Sequence, residues 1–132
     1  MKKILTHIKH TYRVTKATIR ESVKSRKRSP LWDKVRDAHV LQNPVCAACG
    51  SNKRLQVHHI QPFHLNPELE LDPNNFISLC MDIHECHLNL GHGDNFKCYN
   101  PDIKKHCFLF LSASEDDRLK IIQEAREVRK TL

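Results

Sequence analysis

Residues 46–92 read CAACGSNKRLQVHHIQPFHLNPELELDPNNFISLCMDIHECHLNLGH, and this stretch decides how the chain folds. It opens on Cys46-Ala-Ala-Cys49-Gly50, a knuckle that wraps a tetrahedral metal ion with two thiolates. A redox pair at the same spacing needs a strand before it and a helix after it, and Pro44 upstream with Gly50-Ser-Asn-Lys downstream fit that poorly. A second pair, Cys80 and Cys86, follows thirty residues on, so Cys46, Cys49, Cys80 and Cys86 form a candidate four-thiolate zinc site. Cys98 and Cys107 are left over and read as small buried hydrophobes.

Between the two pairs lie two short apolar runs, Leu55 to Ile60 and Phe76 to Cys80, each predicted as a strand. Pro62, Pro67, Pro73 and the Asn74-Asn75 pair make the intervening stretch a long ordered loop. His58 and His59 are neighbours on the first strand, so they point to opposite faces. One is then free to ligate a metal while the other serves as a base. Asn75, at the mouth of the second strand, is placed to accept from an imidazole N–H and fix its tautomer. His87 falls on a predicted short helix, 85–90, closed by Gly91, and His92 follows roughly a helical turn or slightly more away, so the two could point at one centre.

Working outward, Ser29-Pro30 starts a helix whose apolar positions are Leu31, Trp32, Val35, Ala38 and Leu41 and which stops near Gln42 before Pro44. Residues 95–101 read as loop, and Phe108-Leu-Phe-Leu111 is ambiguous between helix and strand. Ser112-Ala-Ser-Glu115 is a capping box that opens a C-terminal helix ending in Arg129-Lys130, with Leu119, Ile122, Ala125 and Val128 as its buried stripe.

The chain has 132 residues, 39% hydrophobic and 6% aromatic, enough for one small domain whose thin core calls for a staple. Its net charge is +7, unevenly spread: residues 1–36 hold twelve Lys/Arg against Glu21 and Asp33, and the rest is net acidic. Such an arm suits a polyanion. Lys16, Arg20, Lys24, Arg26, Lys27 and Arg28 are its candidate nucleic-acid contacts. No apolar run is long enough to span a membrane, and the N-terminal apolar run stops after Ile4-Leu5, so a cytoplasmic location with reduced or metal-bound cysteines is expected.

The knuckle, the paired histidines, the L-D-P-N-N-F-I-S-L-C run and the C-H-L-N-L-G-H run, in that order, resemble the HNH endonucleases, which carry the ββα-metal fold. The likeness covers about residues 29–101. It implies an α+β fold: a small ββα-metal core stapled by a structural zinc, flanked by an N-terminal helix with its basic arm and by a C-terminal helix. The expected division is a basic arm over 1–28, a nuclease domain over 29–111 and a terminal helix over 112–132. It implies metal-dependent hydrolysis of DNA phosphodiesters, with His59 as general base, Asn75 orienting it, and His58, His87 and His92 holding one catalytic divalent ion. Cys46, Cys49, Cys80 and Cys86 align with the structural zinc ligands. The second knuckle is wider than the family's tight C-x2-C-H, and the extra residues include His84, which competes with His87 or with a zinc cysteine. Three imidazoles favour Zn²⁺, Ni²⁺ or Mn²⁺ over Mg²⁺. DNA is the expected partner, with the arm, a partner protein or a second copy supplying specificity. A zinc-stapled nucleic-acid-binding module without catalysis is the alternative, and a disulfide-rich extracellular protein is a third.

Overall fold

A computed structural model describes Lys16 and residues 27–132. Arg20, Lys24 and Arg26, with most of the basic arm, lie outside the described residues. The elements run α1 (Trp32–Gln42), β1 (Leu55–His59), β2 (Phe76–Cys80), a single π-helical turn (His87–Gly91), β3 (Cys98–Tyr99), α2 (Ile103–Leu111), α3 (Glu115–Val128) and β4 (Lys130–Thr131).

The architecture is α+β, built on one antiparallel hairpin. β1 and β2 pair with Leu55 opposite Cys80 and His59 opposite Phe76. Strand alternation then sorts the side chains into two faces. Val57 and Phe76 pack with Val35 and Ala38 of α1 and with Leu71 of the long loop, forming a small core on one side. Leu79 packs on the other side with Leu90, Ile103, Phe110, Ile121 and Ala125, and this larger core reaches the cysteine knuckle. Each fully buried Leu, Ile or Phe contributes on the order of 2 kcal/mol, so neither core is generous. Among the described residues, no helix is long and apolar enough to cross a membrane.

Several local expectations shift. α1 buries Val35, Ala38 and His39, whereas Leu41 is 82% exposed. The ambiguous segment is the end of α2, whose buried positions Ile103, His106, Cys107 and Phe110 keep a helical period that His and Cys disguise. Residues 98–99, read as loop, form β3 with the chain's last strand. The cap of α3 is Ser114 rather than Ser112, its hydroxyl accepting from the Asp117 N–H at 3.2 Å. The buried stripe also differs: Ile121 and Ala125 are buried, and Leu119 is 67% exposed.

The turn that follows β2 is a π turn rather than an α-helix. The His92 N–H donates to the carbonyls of His87 at 3.1 Å and Leu88 at 3.3 Å. In an α-helix, residues five apart are rotated by about 140°. The i to i+5 bond of a π turn instead stacks them on one side. The distortion therefore brings His87 and His92 together, which an ordinary helix would not do.

Candidate active site and metal centres

His58, His87 and His92 gather with one nitrogen each within 4.8 Å of the others. Their ring centroids stand 4.9 to 5.1 Å apart, and the two Nε2 atoms of His87 and His92 approach to 3.2 Å. Outer partners fix the tautomers of two of them. His87 Nδ1 donates to Gln56 Oε1 at 2.6 Å, and His92 Nδ1 donates to the Cys98 carbonyl at 2.6 Å, which frees both Nε2 lone pairs. Gln56 lies two residues before His58 on the same strand face, so both reach the π turn.

The cluster fits a metal ion on its own chemistry. His58 is only 3% exposed, and its Nε2 is buried without a hydrogen-bond partner. Burial, and then the proximity of His87 and His92, hold the His58 imidazole well below its ordinary pKa. Burial and the neighbouring His92 push His87 down to about 4. Burial also lowers His92, against the opposing pull of the Cys98 carbonyl. All three are thus neutral near pH 7, the form that ligates.

Gly91 makes room for this packing. A Cβ there would stand 3.1 Å from His58 Nδ1 and Cε1 and 3.2 Å from Leu79 Cδ1. Gly91→Ala is therefore expected to displace the His58 ring and weaken divalent-metal affinity at least tenfold, measured by calorimetric titration. Gln56→Leu, which strips His87 of its acceptor, is expected to weaken it by about 10–100-fold. Unchanged affinity in Gln56→Leu would show that the Gln56 contact does not orient His87.

His59 points to the opposite face and stays out of the cluster. Its ring lies 4.4 Å from that of Trp32 and packs on Phe76 edge-on. Burial pushes it down to about 4, the Glu70 carbonyl opposing and the Arg28 guanidinium assisting, so its pKa is lower than the ordinary 6.5 expected of a base here. The orienting partner also differs from expectation. His59 Nε2 donates to the carbonyl of Glu70 at 2.9 Å rather than to the Asn75 amide. Instead Asn75 clamps the loop: its Oδ1 accepts from the Gln61 N–H at 2.7 Å, and its Nδ2 donates to the carbonyls of Gln61 and Leu69. Asn75 thereby ties together the two ends of the segment that carries Glu70. The Glu70 carboxylate is buried too, and accepts from the Ser29 N–H at 3.0 Å and from Arg28 at 3.5 Å.

The four sulfurs of Cys46, Cys49, Cys80 and Cys86 lie within 4.8 Å of one another, and every cysteine among the described residues is a free thiol. A hydrogen bond from Cys86, aided by the N–H groups of Cys49, Ala48 and Cys80, holds the Cys46 thiol down at about 4. Burial pushes Cys49 up to about 11, and its partner role to Cys46 raises Cys86. The four sulfurs together are a set that could bind a structural metal. His84 belongs to neither cluster. It sits against Phe110 and reaches Arg118 and Glu115 at the start of α3, which leaves His87 as the histidine gathered with His58.

Both His59 and the histidine cluster line one cleft of about 850 Å³. Arg28, Trp32, Arg36, Val40, Tyr99 and Leu132 also line it. Arg28 lies over the Trp32 and Phe63 rings, at 5.2 and 4.7 Å from their centroids. Arg36 is engaged by Asp33 and Asp37, both at 3.1 Å. Of the other arm residues, Lys16 and Lys27 are exposed.

Residues 46–93 match the family model of the HNH endonucleases. Over these residues the chain is similar to an HNH domain. Searches of curated proteins and of solved structures found no match. The HNH match begins at the first knuckle cysteine and ends one residue past His92, so it holds both clusters and His59. It implies a nuclease-type protein with nucleic acid as partner and divalent-metal chemistry. Sequence reasoning did not find the partners that fix the histidines. Gln56 was accessible through the alternation of β1. The carbonyls of Glu70 and Cys98 carry no side-chain signal at all.

Proposed function

We propose that the protein is a metal-dependent endonuclease that hydrolyses DNA phosphodiester bonds. The observation that carries this reading is one cleft holding three neutral imidazoles in ligating proximity and a fourth, His59, kept out of them with its Nε2–H committed to a carbonyl. Only the Nδ1 lone pair of His59 remains to accept a proton, which suits removal of a proton from an attacking water. Its low pKa keeps it in the accepting form throughout the neutral range. His58, His87 and His92 would hold the catalytic ion, which supplies Lewis-acid stabilisation of the phosphate and the departing oxygen. Trp32 packs on His59 and limits its rotation. Cys46, Cys49, Cys80 and Cys86 would hold a structural zinc.

Arg28 brings a cation to the cleft, and the arm before it would add sequence-independent, salt-sensitive affinity for phosphates. The test is cleavage of plasmid DNA by chelator-stripped protein, its cysteine site reloaded with zinc, with Mn²⁺, Ni²⁺, Zn²⁺ or Mg²⁺ added back. Cleavage that depends on the added ion, and is stronger with a transition metal than with Mg²⁺, is expected. DNA binding without cleavage under every ion would replace the enzyme with a binding module.

A further inference from the structure

His92 is the cluster member at the end of the family match, and the residues that fix it come from outside that match. His92 Nδ1 donates to the Cys98 carbonyl on β3. β3 in turn is paired with β4, Cys98 opposite Thr131 and Tyr99 opposite Lys130, and the Leu132 N–H donates to the Lys97 carbonyl at 2.9 Å. On the other side of His92, Arg129 Nη1 donates to the Gly93 carbonyl at 2.7 Å. Gly93 has φ +57 and lies so close to α3 that a Cβ would stand 2.7 Å from the Ala125 carbonyl and 2.9 Å from Arg129 Cβ. Arg126 and Asp94 add an outer ion pair at 3.4 Å. The chain leaving α3 therefore straps the His92 turn from both sides.

We infer that Arg129 is a positioning residue for the histidine metal site, holding His92 in register with His58 and His87 through Gly93 while β4 holds it through β3. The inference rests on the metal reading of the cluster proposed above, though not on catalysis. The spacing of the three nitrogens sets affinity, and His92 is the ligand that follows the π turn into an otherwise irregular loop. A strap there acts on the ligand that lies just beyond the π turn. Arg129 has this effect without touching the ion.

The experiment measures Ni²⁺ affinity by titration calorimetry on full-length protein whose cysteine site is already loaded with zinc. The proteins are wild type, Arg129→Ala, Arg129→Lys, His92→Ala and the His92→Ala/Arg129→Ala double variant. Arg129→Ala is expected to weaken Ni²⁺ binding by about tenfold, in the range of other outer partners of metal ligands, and Arg129→Lys to recover most of the loss. In the His92→Ala background the Arg129 substitution is expected to have no further effect, because the two act through one ligand. A general structural role would weaken binding equally in both backgrounds, and that additivity would overturn the inference, as would wild-type affinity in Arg129→Ala. Circular dichroism reports whether each variant is folded. Should Arg129→Ala unfold, Arg129→Gln takes its place in the same cycle. Wild type that binds no Ni²⁺ at these histidines would overturn the inference together with the metal reading, whereas Arg129-dependent binding by a protein that cuts no DNA would leave the inference standing and remove the enzyme.

Discussion

His59→Asn is expected to lower the rate of metal-dependent DNA cleavage by about 10²–10⁴-fold, the range that a positioned general base supplies. Divalent-metal affinity should stay within about twofold, because His59 belongs to the opposite face of β1 from Gln56 and His58. Asparagine replaces the imidazole with a group that has no basic lone pair in the neutral range. The separation of rate from metal affinity is what distinguishes a base from a fourth ligand: a fourth ligand would lose both together. Asn75→Ala offers the contrast. Its amide bonds to the backbone at residues 61 and 69, so removing it leaves buried donors and acceptors unpaired, at about 1–3 kcal/mol each. The expected signature is a lowered unfolding midpoint with a smaller loss of rate, since Glu70 would still meet His59 in the molecules that remain folded. Trp32, the single tryptophan, lies against His59 and reports by fluorescence whether the local packing survives in either variant. Should His59→Asn cut DNA at the wild-type rate, the base would have to be sought elsewhere in the cleft.

The parts of the molecule that were legible in the sequence are those where residue type and spacing carry the physics. Cys46 and Cys49 announce a knuckle because two thiolates three positions apart close around one ion. β2 occupies Phe76–Cys80 as its apolar run implies, and β1 ends at His59, one residue short of the expected Ile60, whose N–H still bonds to the Asn75 carbonyl. The grouping of His87 with His92 was legible as a spacing, but its cause was not. A π turn depends on one extra residue being accommodated in the ladder, and nothing in His87-Leu-Asn-Leu-Gly91 distinguishes it from an α-turn.

Illegibility elsewhere has equally specific reasons. Backbone carbonyls do the orienting at Glu70 and Cys98, and any residue type offers a carbonyl. Two-residue strands such as β3 and β4 are too short to show alternation. α2 hid because its inward positions include His106 and Cys107. His106 is buried in a bond with Asn100 at 2.8 Å, which satisfies a polar side chain that hydropathy alone would place outside. The cap of α3 slipped by two residues because Ser112-x-x-Glu115 and Ser114-x-x-Asp117 both offer a hydroxyl and an acid at the same interval, and only the fold of the preceding turn decides between them.

The cysteine cluster carries the second large effect. Cys46, Cys80 and Cys86 are fully buried members of the larger core, at its contact with Leu79, Leu90 and Phe110. Burial alone would make each replaceable by a residue of similar size. Ligation would not, because binding of a structural zinc ion supplies about 10–16 kcal/mol in small zinc modules, as much as the whole stability of a typical domain, about 5–15 kcal/mol. With the histidine site filled by Ni²⁺, Cys80→Ser is therefore expected to abolish the cooperative unfolding transition at room temperature and to lower zinc, read by atomic absorption, from an expected one ion per chain to near zero. Cys107 provides the control. It is just as buried, its thiol is pushed up to about 12 by that burial, and it lies outside the four-sulfur group. Cys107→Ser should cost only about 1–3 kcal/mol, the penalty for a hydroxyl without a partner in an apolar site, and should leave the zinc content at one. A chelator strong enough to strip the cysteine site should reproduce Cys80→Ser in wild type and in Cys107→Ser alike, and returning zinc should restore both. Equal losses in Cys80→Ser and Cys107→Ser, with no change in zinc, would mean that the four sulfurs are packed together for their volume alone, and the small core would then have to hold without a metal staple.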